Sequence, residues 1–318
     1  MTMTLKAEGP AMAGLTREVG EGAPMGAFAL SAPREVLRRL AGRLGRSGIA
    51  RRGVSLLRRA ALFGRADPVD VEAFPGHWAR LHPRDNLSEK RVFAGPQFWD
   101  AVEREALATA IRAHDPALGA FVMVDAGANA GLYGLAARAV DPSLRLLAIE
   151  PEPETARRLR FNLAAMPAGG PFTVVEVALA AESGVAHLAP VAGNRGEVRV
   201  ADPSAVGSRS VPARPLAEIA ATEGLNRIDA LKIDIEGLEA PVLRAFFETA
   251  PTELHPRLVI LEAPAREGDS AALALLLETG YILAARTRLN AILHRATDSD
   301  APAAEPGPVR DGDHDGQA

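Results

Sequence analysis

The sequence predicts an α/β fold built on a doubly wound, mostly parallel β-sheet that ends in an antiparallel hairpin. Three observations support this prediction. Short apolar runs typical of buried strands alternate with helical segments from about residue 121 onward. A glycine-containing loop joins the first of these runs to its helix, at the place where parallel sheets bind ligands. The last two strand-like segments have no helix between them, which indicates a hairpin.

The strands and helices of this sheet can be assigned in order. Continuous apolar runs predict buried parallel strands, and apolar residues spaced three or four apart predict the connecting helices. The predicted strands cover residues 121–124, 144–149, 172–178, 230–235, 258–262, 281–285 and 290–294. The predicted helices cover residues 132–140, 153–166, 215–223, 238–247 and 270–278. The sequence between residues 179 and 214 is rich in glycine and less regular, so we assign no strand there.

A helical and hairpin extension precedes the sheet. Leucines with a broken helical period predict helices over residues 34–65. Two short strand-like segments, Val69–Phe74 and His77–Leu81, flank a Pro75-Gly76 turn and predict a β-hairpin. Residues 96–114 then show a helical pattern, with apolar residues on one face.

Composition excludes several classes of protein. The 318-residue chain has a formal net charge of -4, which argues against a protein that binds nucleic acid through its overall charge. It contains no cysteine, so disulfides, thiolate metal sites and a cysteine nucleophile are excluded. We predict neither a transmembrane helix nor a signal peptide, and we therefore expect a cytoplasmic protein.

Basic residues are concentrated in one segment. Residues 34–65 contain ten arginines and one acidic residue, Glu35. Such a segment is commonly a solvated helix face. It also fits weak contact with an anionic membrane surface or with a nucleotide-linked acceptor.

The loop after the first predicted strand of the sheet has the features of a ligand site. Asp125 ends the strand, Gly127 permits a sharp turn, and Gly131 lets the helix start close to the strand. Asn129 stands where the dinucleotide-binding fingerprint requires glycine, which argues against two phosphates at this loop. The loop instead suits a ligand that carries both an ammonium, for Asp125, and a carboxylate, for the loop amides.

A second acidic residue, Glu150, ends the next predicted strand. It follows the glycines by roughly 20 residues, where nucleoside-binding α/β folds place an acid on the ribose hydroxyls. Glu150 and the loop together predict a nucleoside-containing cofactor. A nicotinamide dinucleotide uses an acid at the same place, so Glu150 does not separate these cofactors.

Charged residues also interrupt the predicted strand 230–235. Lys232, Asp234 and Glu236 alternate with apolar residues, so they should share one face of the strand. Buried charges are costly unless they are paired or serve a site, and we therefore predict that these three are catalytic, with Asp234 or Glu236 as a general base. A purely structural ion network is the alternative. His82 and His255 are further candidates for the base, and we predict no metal site.

Three segments resemble the FkbM family of methyltransferases. They read VDAGANAGLYG, AIEPEPETARRLRFNLA and LKIDIEGLEAPVLRAF, and the last is the most specific. The resemblance spans about residues 80–295. It implies a Rossmann-like class I methyltransferase fold that uses S-adenosylmethionine. By position, it implies that Asp125, Gly127, Asn129, Gly131 and Glu150 bind this cofactor and that Asp234, Glu236 and Glu239 are signature acids of the family.

The resemblance also orders the chain into functional segments. We predict a disordered lead over 1–33, a basic extension over 34–95, the methyltransferase domain over 96–296 and a disordered tail over 297–318. The implied reaction is O-methylation of a hydroxyl on a sugar, glycan or secondary metabolite. An NAD-dependent oxidoreductase and a non-catalytic cofactor-binding interaction protein are the alternatives. Neither the acceptor nor the oligomeric state follows from the sequence.

Overall fold

A computed structural model describes residues 22–45, 47–166, 169–191, 194–264 and 270–296. The predicted tail over 297–318 and residues 1–21 of the predicted lead lie outside these described residues. None of the helices in the described ranges is long and apolar enough to cross a membrane.

The main sheet confirms the predicted fold class. Its seven strands lie in the order β12-β13-β11-β10-β3-β4-β5. Strands β3, β4, β5, β10 and β11 pair in parallel, whereas β13 is antiparallel to both β11 and β12. The strands are β3 Val122–Ala126, β4 Arg145–Ile149, β5 Phe172–Val175, β10 Ala230–Ile233, β11 Leu258–Glu262, β12 Tyr281–Arg286 and β13 Asn290–Arg295. The predicted closing hairpin is thus present.

Helices cover both faces of this sheet, as expected for a doubly wound fold. One face packs against α4, α5 and α6, and the other packs against α7, α8 and α9. The helices of the two layers are α4 Ala101–Arg112, α5 Leu132–Arg138, α6 Pro153–Ala164, α7 Leu216–Thr222, α8 Glu239–Thr249 and α9 Ala271–Glu278. Apolar strand residues such as Val124 and Leu231 are fully buried between the layers, which explains the continuous apolar runs in the sequence.

The N-terminal extension forms two helices, a hairpin and a third helix. They are α1 Ala32–Arg43, α2 Gly48–Ala61, β1 Val69–Phe74, β2 His77–Leu81 and α3 Leu87–Ala94. The hairpin packs into the same core as α4 and α5. The helix predicted over 96–114 is shorter than expected. A single 3₁₀ turn over Pro96–Phe98 precedes it, and Asp100 adopts a left-handed φ of 37° before α4 begins.

The structure differs from the prediction of a disordered lead for residues 22–33. A buried ion pair between Asp70 and Arg80 holds this segment against the hairpin. Asp70 accepts hydrogen bonds from the amides of Gly26 and Phe28, at 2.8 and 3.0 Å. Because glycine, alanine and proline carry little periodic signal, the sequence of this segment did not reveal an anchor located more than forty residues away.

A second sheet occupies the stretch in which we assigned no strand after residue 179. Its strands lie in the order β6-β9-β7-β8 and comprise β6 Ala178–Leu179, β7 Gly184–Val191, β8 Asn194–Val200 and β9 Arg209–Arg214. The strand predicted over 172–178 therefore divides into β5 and β6. This small sheet has its own apolar cluster, and Ala178, Leu179 and Leu188 line the cavity described next.

Candidate active site

A cavity of about 480 Å³ opens where β3, β4, β10 and β11 end. This volume is in the range of small-molecule binding sites. Six of the eight residues predicted for the site line it: Gly127, Asn129, Glu150, Lys232, Asp234 and Glu236. Asp125 and Gly131 do not. The cavity also contacts α3, α5 and the turn before β13, so the N-terminal extension forms one of its walls.

The glycine loop brings backbone from two strands into direct contact. Gly127 has a φ of 77°, and a Cβ atom added to it would lie 1.8 Å from the carbonyl oxygen of Asp234. The amides of Gly127 and Ala128 both donate to the carbonyl oxygen of Ile149. Asn129 also adopts a left-handed φ, of 50°, which asparagine tolerates better than most residues. Glycine at position 127 is therefore a steric requirement of the site.

Glu150 lies buried beside this loop. One carboxylate oxygen accepts from the amide of Asn129 and the other from the amide of Glu152, both at 2.9 Å. Burial raises the pKa of Glu150 to about 7, even though these two hydrogen bonds lower it. Each oxygen retains a further lone pair for a hydroxyl donor. The geometry suits the ribose role predicted from the sequence.

The predicted roles of Asp125 and Gly131 as direct ligands are not supported by this geometry. Asp125 is buried on β3 directly opposite Lys232 on β10, and its side chain lies behind the cavity wall. Burial raises its pKa to about 7, and the ammonium of Lys232 opposes this rise. Gly131 instead allows close packing, because an added Cβ would lie 2.6 Å from Leu159 of α6. Neither residue lines the cavity; Asp125 lies next to Lys232, and Gly131 packs against Leu159.

Lys232 is the central cation of the site. Its side chain is 3% exposed, and its Nζ lies 3.0 Å from Oδ2 of Asp234. Burial lowers the pKa of Lys232, but the nearby Asp234 and Asp125 raise it by more than burial lowers it. The pKa of Lys232 is therefore above its usual value. The ammonium also lies 5.4 Å from the ring centre of Tyr133. Lys232 therefore remains charged and holds the acidic residues in place.

Asp234 forms a second pair, with Glu262 at the end of β11. Burial raises the pKa of Asp234, but Lys232 and the hydrogen bond with Glu262 lower it more. Burial and the neighbouring Asp234 raise the pKa of Glu262 to about 9. Because the pKa of Asp234 is lowered and that of Glu262 is raised, the pair holds one proton. The proton resides on Glu262 and the negative charge on Asp234. Sequence reasoning missed Glu262, although it ends an apolar strand just as Glu150 does.

Glu236 and Glu239 shape the turn after β10. The strand predicted to reach residue 235 ends at Ile233, and Glu236 adopts a left-handed φ of 58°. Glu239 is buried and stabilises the turn by accepting hydrogen bonds from the amides of Ile235 and Gly237. Glu236 therefore lines the cavity from a turn, and the three charged residues do not share one face of a strand.

Asp234, Glu239 and Glu262 also form a potential metal site that we did not predict. Their carboxylate oxygens lie within 4.8 Å of one another, a spacing that a divalent cation can bridge. The ammonium of Lys232 already neutralises Asp234 at 3.0 Å. Glu239 is held by the amides of Ile235 and Gly237.

Further lining residues were missed because they lie far away in the sequence. Asn86, at the start of α3, donates through Nδ2 to Oδ1 of Asn129 at 2.7 Å. The hydroxyl of Tyr133 donates to Asp100 at 3.0 Å beside Lys232. Apolar residues form a slot next to Glu150: Ile149, Pro151, Val177, Ala178 and Leu179. By contrast, neither His82 nor His255, the alternative bases, lines the cavity in the described part of the chain.

A sequence profile of the Methyltransferase FkbM domain matches residues 125–283, which is half of the chain. The chain belongs to the FkbM methyltransferase family. The matched segment contains the glycine loop, Glu150 and the acids that follow β10. The family assignment identifies an S-adenosylmethionine-dependent methyltransferase and favours this activity over that of an NAD-dependent oxidoreductase.

Two solved structures are similar to the chain at low identity. The precorrin-6Y C5,15-methyltransferase of Geobacter metallireducens is 16% identical, with a TM-score of 0.38 over 60% of this chain and 84% of its own. The O-methyltransferase TomG of Streptomyces achromogenes is 15% identical, with a TM-score of 0.37 over 62% of this chain and 81% of its own. Similarity at this level carries no information on the substrate. No curated protein matches the chain.

S-adenosylmethionine fits the residues of this FkbM site. The apolar slot suits an adenine ring, and Glu150 beside it suits the ribose hydroxyls. The loop after β3 would then hold the amino acid portion. When bound, the cofactor supplies an electrophilic methyl group.

Replacing Asn129 with alanine should weaken the affinity for S-adenosylmethionine at least several-fold. Alanine loses the hydrogen bond from Asn86 and tolerates the left-handed backbone poorly. Asn129→Gly is the matched variant, because glycine adopts this backbone freely but also lacks the amide. Calorimetric titration of both variants should show a smaller loss for glycine. Unchanged affinity in the alanine variant would show that the loop does not bind the cofactor.

Proposed function

We propose that this FkbM methyltransferase transfers a methyl group to a hydroxyl of a sugar, glycan or secondary metabolite. The observation that carries the proposal is the Asp234–Glu262 pair, which lies in the same cavity as the cofactor residues and next to Lys232. A hydroxyl acceptor must lose a proton as it is methylated. The ionised carboxylate of Asp234, which lines this cavity, is suited to receive that proton.

Asp234 is the proposed general base. The acceptor oxygen forms a bond to the methyl carbon while the carbon–sulfur bond breaks and its electron pair passes to sulfur. The hydroxyl proton moves to Asp234. Glu262 keeps its own proton and holds Asp234 ionised through their hydrogen bond, and Lys232 keeps the pair oriented through its 3.0 Å contact. Much of the rate arises from alignment of the acceptor, which is worth about 7–11 kcal/mol in well-oriented systems.

The cofactor assignment can be tested by calorimetric titration of the full chain with S-adenosylmethionine, S-adenosylhomocysteine and NAD, each alone. We expect micromolar affinity for the two sulfur compounds, about -8 kcal/mol of binding free energy. We expect no binding of NAD. Binding of NAD alone would overturn the proposed reaction.

The roles of Asp234 and Glu236 can be separated by Asp234→Asn and Glu236→Gln. Transfer of tritium from labelled S-adenosylmethionine to a panel of hydroxylated sugars provides the assay. We expect Asp234→Asn to reduce turnover by about 100-fold or more, with nearly unchanged affinity for S-adenosylhomocysteine. Glu236→Gln should have a smaller effect, and the exposed Glu248→Gln provides the control. Equal turnover in Asp234→Asn and the control would show that Asp234 is not the base.

The alternative of a non-catalytic interaction protein makes a different prediction in the same assay. Such a protein binds S-adenosylhomocysteine but transfers no tritium to any acceptor, with or without the substitutions. The acidic pair beside the buried Lys232 favours the enzyme, because holding charged groups partly out of water lowers the stability of the fold unless they serve a site.

We also propose weak contact between an anionic membrane surface and helices α1 and α2. Ile49, Leu56 and Phe63 recur every seven residues and are 86%, 69% and 79% exposed. Arginines on the same segment, ten against a single glutamate, complement anionic lipid. Sedimentation with vesicles that contain phosphatidylserine should lose most of its binding in Leu56→Ser/Phe63→Ser. Val185→Ser/Val206→Ser, two exposed valines elsewhere, provides the control.

A further inference from the structure

A second cavity, of about 550 Å³, lies beside the active-site cavity. Both cavities are lined by Leu87, Arg91, Asp100, Arg288 and Leu289, so the two are direct neighbours. Its walls come from α2, α3, the start of α4 and the turn between β12 and β13. The second cavity therefore lies beside the space in which an acceptor would meet Asp234.

Positive charge dominates the second cavity. Five cationic side chains line it, against two carboxylates, Asp100 and Glu103. The cations come from three separate elements: Arg51 and Arg58 from α2, Lys90 and Arg91 from α3, and Arg288 from the turn before β13. Cations that converge from three elements on one concave space are arranged to surround an anion.

The two carboxylates already accept hydrogen bonds from neighbouring protein groups. Glu103 is buried and accepts from the hydroxyl of Thr287 at 2.6 Å and from Nδ2 of Asn290 at 2.8 Å. Asp100 accepts from Tyr133 on the active-site side. Within the described ranges, neither Arg58 nor Lys90 forms an ion pair with a carboxylate. Partial burial lowers the pKa of Arg58, and the adjacent Arg59 lowers it further. Among the described residues, Arg58 and Lys90 therefore have no carboxylate partner.

We propose that the second cavity binds a phosphate or diphosphate group on the methyl acceptor. This inference rests on the proposed O-methylation, and it narrows the acceptor to a phosphorylated hydroxyl compound. The phosphate lies among Arg58, Lys90 and Arg288, while the hydroxyl to be methylated reaches Asp234. Phosphate suits the site because several cations can share its oxygen atoms, and arginine can bind two of them at once.

Inorganic pyrophosphate is the probe for the test, titrated calorimetrically into the full chain with S-adenosylhomocysteine bound. We expect binding that weakens as sodium chloride increases from 50 to 200 mM, because the contacts are ionic. Arg58→Gln/Lys90→Gln should reduce pyrophosphate affinity by about tenfold or more. Both residues lie outside the active-site cavity, so affinity for S-adenosylhomocysteine should be unchanged and should verify the fold.

The control is Arg59→Gln/Arg286→Gln, which removes the same charge from exposed positions that line neither cavity. It should retain pyrophosphate affinity within about twofold. Equal losses in both double variants, or no pyrophosphate binding by the wild type, would overturn the inference while leaving cofactor binding intact. Loss of S-adenosylhomocysteine binding by the wild type would instead contradict the proposed function.

A second titration identifies the source of the phosphate. Dihexanoyl phosphatidic acid, used as a monomer, presents the same phosphate on a lipid. Affinity at least tenfold higher than that of pyrophosphate, lost in Arg58→Gln/Lys90→Gln, would support a lipid-linked acceptor. Equal or weaker affinity would support a water-soluble phosphorylated acceptor.

Discussion

Replacing Lys232 with methionine should lower the free energy of unfolding at pH 8 by about 1–3 kcal/mol, less than for a fully buried ion pair because the Asp234 side chain is 38% exposed. Methionine fills a similar volume but leaves Asp234 without the ammonium 3.0 Å away. It also removes the positive charge opposite Asp125 and near Asp100. Urea denaturation of wild type and variant provides the measurement.

The destabilisation should decrease as the pH falls from 8 to 5. Lys232 opposes the rise in the pKa of Asp125, which is about 7 in the wild type, so this pKa should be higher in the variant. A carboxyl group whose pKa is raised on folding favours the folded state at low pH and loses that contribution as the pH rises through the folded-state pKa. Protonation at pH 5 therefore removes part of the repulsion that methionine leaves.

In the wild type, the contribution of the Lys232–Asp234 pair to stability persists over a wide pH range and is lost at both extremes. The pKa of Asp234 is lowered on folding, so its contribution is present above the unfolded pKa and is lost as the pH falls through the folded value. The pKa of Lys232 is raised, so its contribution is lost only as the pH rises above 10.5. Lys232→Met/Asp234→Asn should recover part of the loss. The same destabilisation at pH 5 and pH 8 would contradict this account.

Replacing Gly127 with alanine should reduce the affinity for S-adenosylhomocysteine by about 100-fold or more. The added Cβ would lie 1.8 Å from the carbonyl oxygen of Asp234, and neither backbone segment can move without opening the cavity. The positive φ of 77° adds strain. We expect a loss of about 3 kcal/mol or more in the free energy of unfolding, near the upper range of single substitutions.

Gly280→Ala is the matched control for this variant. Gly280 has a similar φ of 88°, but an added Cβ would meet no atom within 4 Å. The control should therefore cost only the backbone strain, about 1 kcal/mol, and should retain cofactor affinity. Equal destabilisation by the two alanines would show that the approach of Gly127 to Asp234 is not a constraint on the site.

Local sequence patterns were sufficient for the architecture of the main sheet. The strand predicted over 258–262 matches β11, and the helix predicted over 270–278 matches α9 to within one residue. These elements are buried on predictable faces, so their apolar periodicity reports directly on structure. The small sheet after residue 179 was missed because its strands carry fewer apolar residues, and only pairing with one another makes them strands.

The candidate site was predicted in part. Gly127, Asn129 and Glu150 lie at the ends of strands whose order follows from the fold, so position alone indicated that they line a cavity there. Asp125 does not line the cavity, which its position along the strand did not reveal, because that position does not show what lies above it. In the structure, Lys232 of the neighbouring strand pairs opposite Asp125.

The sequence by itself determined the fold class, the family and the edge of the sheet that carries the cavity, because these depend on short-range periodicity and contiguous motifs. Only the tertiary structure decided which charges meet. Glu262 approaches Asp234 from another strand, and Arg58 and Lys90 converge from separate helices on the second cavity. Electrostatic interactions act over a few ångströms in space, irrespective of separation along the chain, so the packing of distant elements sets the protonation and the charge of the site.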